Sequence, residues 1–240
     1  VAGASATSAV SRSLAKNAED LFPCASPVRA IYNGKSVDDI IDKSNQPITW
    51  PHQINFESYL VNPANMTWVK GQDVLIRAWA KLPNDVSHFH LLIIGEARDA
   101  FEQCLQLIKE LDCSDRVHLL GSLPQTELFS VMRKAKGCVM SSRHEGFSGT
   151  VLEAGALGLG LVSTNIPPFK EIVRHNETGL IVATEDPDSM AHAITTLARD
   201  TTLGRRLGEA LQSDVRTQFS VEKMTEGYLT LYKEVLLSRH

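Results

Sequence analysis

Short apolar runs alternate with segments of helical periodicity along most of the chain. The apolar runs fall near 57–62, 88–95, 117–120, 137–141, 160–164 and 179–182. Helical patterns lie between them, near 72–82, 97–111, 125–135, 149–158 and 168–174. Apolar strands separated by helices are typical of a parallel sheet that carries helices on both faces. The pattern therefore predicts an α/β fold built on a doubly wound parallel sheet.

The two ends of the chain depart from this alternation. The first part predicts a short strand, a helix around 11–19, a loop at 23–27, a strand ending at Asn33-Gly34 and a polar loop over 44–52. From Asp186 onwards the pattern is helical, with breaks near 200–203 and at Phe219-Ser220. We therefore expect three parts: a leading segment (1–45), a central domain (46–218) and a C-terminal helix (219–240).

Composition narrows the class of protein. The 240 residues carry 24 basic and 28 acidic side chains without a long basic run, so no nucleic-acid partner is expected. The four cysteines include no CxxC pair, and their spacing fits neither a zinc site nor a disulfide framework, which favours a reducing compartment. No apolar stretch is long enough to span a bilayer. The chain begins without Met, so we expect a fragment or a processed product.

Candidate chemistry is concentrated in residues 141–160, directly after an apolar run. Small residues that expose backbone N–H groups lead into a helical pattern: Gly146, Ser148, Gly149 and Thr150. A strand, such a loop and a helix N-terminus together form an anion site. Glu145 and Glu153 bracket the loop; carboxylates repel phosphate but accept hydrogen bonds from sugar and ribose hydroxyls. The combination predicts a nucleotide-sugar site.

The stretch His-Glu-Gly-Phe-Ser-Gly-Thr-Val-Leu-Glu-Ala at 144–154 resembles a family motif. It is similar to the donor-site motif of retaining glycosyltransferases with the two-Rossmann-domain GT-B fold, of the group 1 or family 4 type. Further segments resemble the family in order and spacing: Asn33-Gly34, Lys70-Gly71, 91–95, 116–121, 171–173 and 176–182. The resemblance covers nearly the whole chain, and the ordered set is far more specific than any single match.

The resemblance implies a role for each candidate residue. Lys70 would hold the diphosphate and offset the charge that develops on the leaving group, and Glu145 would orient the donor sugar, so these two are the candidate catalytic residues. Glu153 would bind the ribose. The remaining donor-binding candidates are Gly146, Phe147, Ser148, Gly149 and Thr150. Without the resemblance, Glu153 in the first turn of a helix would be a dipole partner, Glu145 a solvated loop carboxylate and Lys70 a surface lysine.

The resemblance also implies an activity and partners. The central domain would be the Rossmann-like, donor-binding C-terminal half, and the leading segment would begin with the tail of a missing N-terminal acceptor domain. The enzyme would transfer a sugar from a nucleoside-diphosphate sugar, with retention, to an acceptor sugar or lipid-linked glycan in polysaccharide or glycoconjugate synthesis. In the family no protein nucleophile is clearly required, because the leaving diphosphate is thought to accept the acceptor's proton. Positioning and electrostatics would therefore carry catalysis.

Other expectations follow from the sequence and from the same family resemblance. We expect no cofactor and no metal, a cytoplasmic location, peripheral to the membrane through the missing domain, and no transfer by this chain alone. Two alternatives stay open: a non-catalytic nucleotide-sugar-binding or regulatory module, and a sugar-nucleotide epimerase of the same fold. Calorimetry with nucleotides and product identification would separate them.

The chain departs from the family pattern at a few positions. Asn65 stands where the family usually has an arginine that grips the diphosphate beside the lysine. Gly160 replaces a common proline, and Pro167-Pro168 replaces a usual Gly-Gly pair. Two further motifs suggest catalysis or metal binding, but we do not assign them these roles. His144 varies within the family motif and is not taken as a general base, and Asp186-Pro-Asp188 is interpreted as a helix N-cap, not as a metal-binding DxD.

Overall fold

The computed structural model describes residues 4–24, 26–47 and 58–237, and the structural statements below concern these residues. Most of the loop predicted over 44–52, and the first residue of the strand predicted over 57–62, lie outside them. The strands are β1 (Ser8–Ala9), β2 (Arg29–Ala30), β3 (Tyr59–Pro63), β4 (His90–Ile94), β5 (Val117–Leu119), β6 (Gly137–Met140), β7 (Leu161–Thr164) and β8 (Leu180–Val182). The helices are α1 (Arg12–Leu21), α2 (Val37–Lys43), α3 (Gln72–Ala80), α4 (Phe101–Glu110), α5 (Gln125–Lys134), α6 (Gly149–Ala156), α7 (Pro167–Lys170), α8 (Pro187–Arg199), α9 (Thr201–Thr217) and α10 (Val221–Leu237).

A six-stranded parallel sheet in the order β5-β4-β3-β6-β7-β8 forms the centre of the molecule. The prediction of a doubly wound parallel sheet is confirmed. The chain runs outward from β3 to β5 and then returns to place β6 on the other side of β3. Ligands in such sheets bind beyond the carboxyl ends of the strands, at the point where the strand order reverses. Here that point lies between β3 and β6.

Both faces of the sheet are covered, which explains why most strand residues are apolar. Successive strand residues point to opposite faces, so Leu60 and Val61 on β3 enter two different core clusters. The cluster on one face includes residues of α3, α4, α8 and α9. The cluster on the other face includes residues of α2, α5, α6 and α9. Fully buried side chains such as Trp79 and Phe129 anchor the two clusters.

Helix α2 was not predicted, and it joins the leading segment to the main core. Val37 and Ile40 are buried in the same cluster as residues of α6. Ser36 caps the helix, because its side chain accepts a hydrogen bond from the Asp39 N–H. Seven residues give too little helical periodicity to recognise in the sequence. The core therefore crosses the expected boundary at 45/46, while the other divisions stay predictions.

Two helices differ from their predicted bounds. The helix expected over 168–174 is the single turn α7, which ends at Lys170 and is followed by turns. Its early end leaves the Glu171 carboxylate pointing at the N-terminus of α1, where it accepts from the Arg12 and Ser13 N–H groups at 2.7 and 2.8 Å. The helix expected over 97–111 begins only at Phe101. Among the described helices, none has both the length and the apolar character needed to cross a bilayer.

The Asn33-Gly34 turn after β2 is packed against the junction between α9 and α10. The N–H of Lys35, the next residue, donates to the Phe219 carbonyl at 2.8 Å. A Cβ on Gly34 would lie 2.2 Å from the Ser220 carbonyl oxygen, closer than any real side chain approaches. The close approach of two backbones therefore requires glycine here and fixes the position of the turn.

We predict that Gly34→Ala destabilises the protein. The added methyl group meets backbone atoms that cannot move aside, and overpacking of this kind costs about 1–3 kcal/mol. Gly146→Ala is the matched control, since its Cβ would meet only Leu14 Cδ2 at 3.9 Å. It should be neutral or gain up to about 1 kcal/mol from a less flexible unfolded chain. Urea denaturation measures both, and equal free energies of unfolding for the two variants would contradict the packing described.

Candidate functional site

Two loops meet at the carboxyl edge of the sheet, one after β3 and one after β6. The first contains a short 3-10 helix, Trp68–Lys70, and the second begins at Ser141. The Ser141 hydroxyl donates to the Lys70 carbonyl at 2.8 Å, and the Arg143 N–H donates to the Val69 carbonyl at 2.8 Å. Gly71 has a positive φ of 63°, and a Cβ there would lie 2.2 Å from the Ser141 carbonyl oxygen. The two loops are thus fastened to one another through their backbones.

The contact between these loops brings the two candidate catalytic residues together. Lys70 Nζ donates to Glu145 Oε1 at 2.6 Å, and the Ser142 hydroxyl donates to the same oxygen at 2.9 Å. The Glu145 side chain is 10% exposed and that of Lys70 is 25% exposed. A carboxylate this shielded requires a compensating cation.

Helix α6 begins at the same edge, directly after the Glu145 loop. Ser148 is its N-cap and accepts from the Val151 N–H at 3.3 Å, while the helix itself starts at Gly149. Glu153 lies beyond the first turn, where the dipole effect has faded, so the prediction of a first-turn position was wrong. Its partner is instead Lys35, whose Nζ donates to Glu153 Oε1 at 2.6 Å. Sequence reasoning had marked the turn before Lys35 but not this lysine.

A pocket of about 330 Å³ opens between the ends of the central strands and α6. It is lined by Pro63, Ala64, Asn65, Lys70, Ile94, Gly95, Ser122, Leu123, Leu128 and Thr150. Three of the candidate residues, Asn65, Lys70 and Thr150, therefore share one cavity. The lining combines apolar side chains with polar ones, as small-molecule sites do.

Asn65 lines the same pocket as Lys70, and its place beside a diphosphate stays a prediction. Its Oδ1 accepts from the Glu96 N–H at 2.9 Å, and its carbonyl accepts from Gln72 Nε2 at 3.1 Å. The first bond ties the loop after β3 to the loop after β4, and the second ties it to the start of α3. The side chain brings no positive charge to the pocket.

The other face of the Glu145 loop contacts the leading segment. The Ser11 hydroxyl donates to the Gly146 carbonyl at 2.8 Å. The Phe147 ring stacks on Tyr32 with a centroid separation of 5.6 Å and lies 6.3 Å from the Phe219 ring. Phe147 thus packs among aromatic residues, and its donor-binding role stays a prediction.

Arg143 is a second residue of this region that sequence reasoning missed. Its guanidinium donates to both carboxylate oxygens of Asp73 at 2.8 Å, donates to the Trp68 carbonyl at 2.6 Å, and pairs with Glu185. The guanidinium carbon also lies 4.7 Å from the centroid of the Trp68 ring. Partners 70 and 42 residues away in sequence leave no local signal. Arg143 clamps the β6 loop to the loop that carries Lys70.

This clamp changes the acidity of Asp73. Partial burial alone would raise the pKa of the Asp73 carboxyl, but the hydrogen bonds and charge of Arg143 hold it below its ordinary value. Hydrogen bonding to Asp73 likewise raises the pKa of Arg143, so the pair stays charged at neutral pH. Glu171 behaves in a similar way: burial opposes ionisation, but the Ser13 and Arg12 N–H groups lower its pKa.

The Asp186-Pro-Asp188 motif and His144 remain to be placed in the structure. Asp186 caps α8, since its Oδ1 accepts from the Asp188 and Ser189 N–H groups at 3.1 and 3.0 Å, which confirms the N-cap interpretation. His144 is exposed. Among the residues that the structure describes, no group of three or more His, Cys, Asp or Glu side chains is placed to hold a metal ion. The expectation of a metal-free site remains an expectation.

Comparison with known proteins agrees with this fold and sequence pattern. The family model described as Glycosyl transferases group 1 matches residues 49–214. The match covers more than half of the chain, and the chain belongs to this family of glycosyltransferases.

Curated relatives share moderate identity over most of the chain. N-acetyl-alpha-D-glucosaminyl L-malate synthase of Bacillus anthracis is 28% identical over 229 residues, which cover 95% of this chain and 59% of the relative. The lipopolysaccharide core biosynthesis glycosyltransferase LpsE of Rhizobium meliloti is 35% identical over 162 residues, covering 68% and 46%. The chain thus spans about half the length of these relatives.

Solved structures share the fold. Anabaena Alr3699/HepE, crystallised with UDP and glucose, superposes with a TM-score of 0.84 at 21% identity, over 96% of this chain and 64% of that one. Sucrose-phosphate synthase from Thermosynechococcus elongatus gives a TM-score of 0.81 at 22% identity, over 96% and 58%. These likenesses establish the GT-B-type architecture of the domain.

We predict that Asp73→Asn lowers stability in a pH-dependent way. A hydrogen bond to a charged group contributes about 1.5–3 kcal/mol, and Arg143 would lose this from one of its carboxylates. Because the folded pKa of Asp73 is depressed, its contribution is present above the unfolded value of about 3.9 and is lost as pH falls through the folded pKa. Urea denaturation at pH 7 and at about pH 3 measures this.

The matched control is Asp115→Asn, whose carboxylate is 76% exposed and lies 3.9 Å from Arg116. It should change the free energy of unfolding by no more than about 0.5 kcal/mol. An Asp73→Asn deficit that is equally large at both pH values would contradict the ion-pair explanation.

Proposed function

We propose that this chain is the donor-binding half of a retaining glycosyltransferase that uses a nucleoside-diphosphate sugar. The observation that carries the proposal is the meeting of Lys70 and Glu145 at the reversal point of the sheet, beside the N-terminus of α6. Lysine and helix N–H groups suit a diphosphate, and a shielded carboxylate suits sugar hydroxyls. One edge of the sheet thus offers complementary partners for both ends of a nucleotide-sugar.

Family membership supports this choice of ligand. The fold neighbour Alr3699/HepE was solved with UDP-glucose as well as with UDP. The pocket next to Lys70 has a volume of about 330 Å³, and pockets of about 300–1,000 Å³ hold small molecules and cofactors. UDP is therefore the first nucleotide to test, with GDP and ADP beside it.

In the proposed mechanism the protein positions groups and supplies charge. Lys70 would hold the diphosphate and stabilise the negative charge that grows on it as the glycosidic bond breaks. Glu145 would fix the sugar ring through its hydroxyls, and Glu153 would bind the ribose. The acceptor hydroxyl would attack from the face that the diphosphate leaves, and the diphosphate would take its proton. Precise positioning is the source of rate acceleration in such a scheme.

The acceptor would come from the other half of the enzyme. The curated relatives extend well beyond the region that this chain matches, so a second domain, N-terminal to this one, is proposed to bind the acceptor. A sugar or a lipid-linked glycan is the proposed acceptor class, since one relative is named for lipopolysaccharide core biosynthesis. No divalent cation is required for the proposed chemistry.

We predict that the two carboxylates differ in the ligand they recognise. Glu145→Gln removes the charged acceptor for sugar hydroxyls and should weaken UDP-glucose about tenfold more than UDP, if UDP is the preferred nucleotide. Glu153→Gln removes the ribose contact and should weaken both ligands by the same factor. Titration calorimetry of both variants with both ligands gives the two ratios.

Glu110→Gln is the remote control, since its carboxylate accepts a hydrogen bond from Gln106 on the exposed side of α4. It should leave both affinities unchanged. Equal losses for the two ligands in Glu145→Gln would contradict the sugar-binding role of Glu145.

We also predict that Asn65→Arg tightens nucleoside-diphosphate binding by at least about tenfold at low salt. An arginine beside Lys70 would add a charged hydrogen bond to the diphosphate, worth about 1.5–3 kcal/mol. The gain should shrink at high salt, because part of the attraction is screened. Calorimetry at two salt concentrations measures both effects.

Asn65→Gln is the matched control. It perturbs the hydrogen bond to the Glu96 N–H in the same way but adds no charge, and it should not tighten binding. An unchanged affinity in a folded Asn65→Arg variant would contradict the placement of Asn65 beside the diphosphate.

A further inference from the structure

Lys35 has an unusual electrostatic position at the edge of the proposed site. If Gly149 carried a Cβ, that atom would lie 3.8 Å from Lys35 Nζ, so the ammonium group sits at the first turn of α6. A helix N-terminus carries partial positive charge and repels a cation. Glu153 offsets this repulsion through its 2.6 Å contact. The lysine is thus held where an anion, and not a cation, is favoured.

Backbone contacts fix the position of Lys35. Its N–H donates to the Phe219 carbonyl at 2.8 Å, and the preceding Gly34 is pressed against Ser220. The side chain is 29% exposed and reaches α6 from a different part of the chain, 118 residues away from Glu153. The fold therefore delivers a second lysine to the edge where Lys70 lies.

The Lys35 ammonium group has more N–H donors than its contact with Glu153 uses. A lysine carries three N–H donors, and within the described ranges Glu153 is the one acceptor that the Lys35 ammonium contacts. Thr150, the neighbour of Gly149, lines the same pocket as Lys70. Oxygen atoms of a ligand at the first turn of α6 would therefore meet free Lys35 donors.

The charge balance of the site points the same way. Lys70 pairs with Glu145 and Lys35 pairs with Glu153, so the net charge of these four side chains is zero. A diphosphate adds negative charge, and Asn65 supplies none of the compensation that an arginine would. Without Lys35 the other three side chains would carry a net charge of −1. The Glu153 carboxylate, 13% exposed, would then lack a cation and would repel the phosphate groups of the ligand.

We propose that Lys35 is a donor-binding residue that contacts the phosphate oxygens of the nucleoside-diphosphate sugar and supplies the positive charge that Asn65 lacks. The inference rests on the proposed function, since it concerns the same donor site. Lys35 and Lys70 hold the diphosphate between them, one at the α6 N-terminus and one in the loop after β3. Lys35 releases part of its contact with Glu153 as the ribose hydroxyls take up that carboxylate.

In the competing explanation Lys35 only neutralises Glu153. Its removal would then weaken binding only through the charge left on that carboxylate, and the weakening would vanish in a Glu153→Gln background. If Lys35 contacts phosphate, Lys35→Met weakens UDP, GDP or ADP, whichever the wild type binds, by about tenfold or more. The dependence of affinity on salt should also become shallower, and Lys35→Arg should restore much of both.

A double-mutant cycle separates direct contact from an effect through Glu153. In a Glu153→Gln background the lysine no longer has a carboxylate to neutralise, so Lys35→Met should still weaken binding about tenfold if the ammonium touches phosphate. Lys43→Met is the matched control: it breaks an exposed ion pair with Asp39 on α2 and should leave affinity unchanged. Lys35→Gln is the second variant if Lys35→Met unfolds at a lower urea concentration.

The outcomes are distinguishable. A wild-type chain that binds none of the three nucleoside diphosphates contradicts the proposed function itself. Wild-type binding with an unchanged or tighter Lys35→Met variant overturns the role of Lys35 alone. Loss of the effect in the Glu153→Gln background also overturns it, because Lys35 would then act only through that carboxylate. A tenfold weakening in both backgrounds, with a shallower salt dependence, supports it.

Discussion

The pairing of β3 with β6 is the constraint on which the site depends. These strands are neighbours through the register Leu60 to Gly137 and Val61 to Cys138, although more than seventy residues separate them in sequence. Successive strand residues fill two different core clusters, so a slip of one residue would move every side chain of the strand into the opposite cluster, where it does not fit the packing. The register is therefore firmly set by the core. With it are set the two loops that follow, and hence the meeting of Lys70 with Glu145.

Much of the fold could be predicted from the sequence because the central strands are short, apolar and separated by clear helical periods. The breaks at Asp200 and near Phe219 were visible for the same reason, since capping and turn residues interrupt the helical pattern. Helix α2 was invisible because seven residues carry little periodicity, and it is held by packing on α6. Local pattern thus predicts elements, whereas tertiary contact decides marginal ones.

The candidate site was only partly predictable. Glu145 and Glu153 stood out because they bracket a loop of small residues, and family resemblance gave them roles. Arg143 and Lys35 did not stand out, because their partners lie far away in the chain. A charged residue whose structural role depends on a carboxylate far away in the chain has no local sequence signature. The structure also shows that each carboxylate of the pair has its own lysine, which could not be read from the order of residues.

The clamp that Arg143 makes on the Lys70 loop has a consequence for the thermodynamics of recognition. Loops that become ordered only when a ligand arrives lose backbone freedom, about 1–2 kcal/mol for each residue fixed, and this loss weakens the observed affinity. Here the hydrogen bonds of Arg143 to Asp73 and the Trp68 carbonyl, together with the left-handed turn at Gly71, hold the loop through contacts within the chain itself. The loss of conformational entropy therefore occurs when the chain folds, and the Lys70 ammonium and the Glu145 carboxylate are already held 2.6 Å apart in the folded chain.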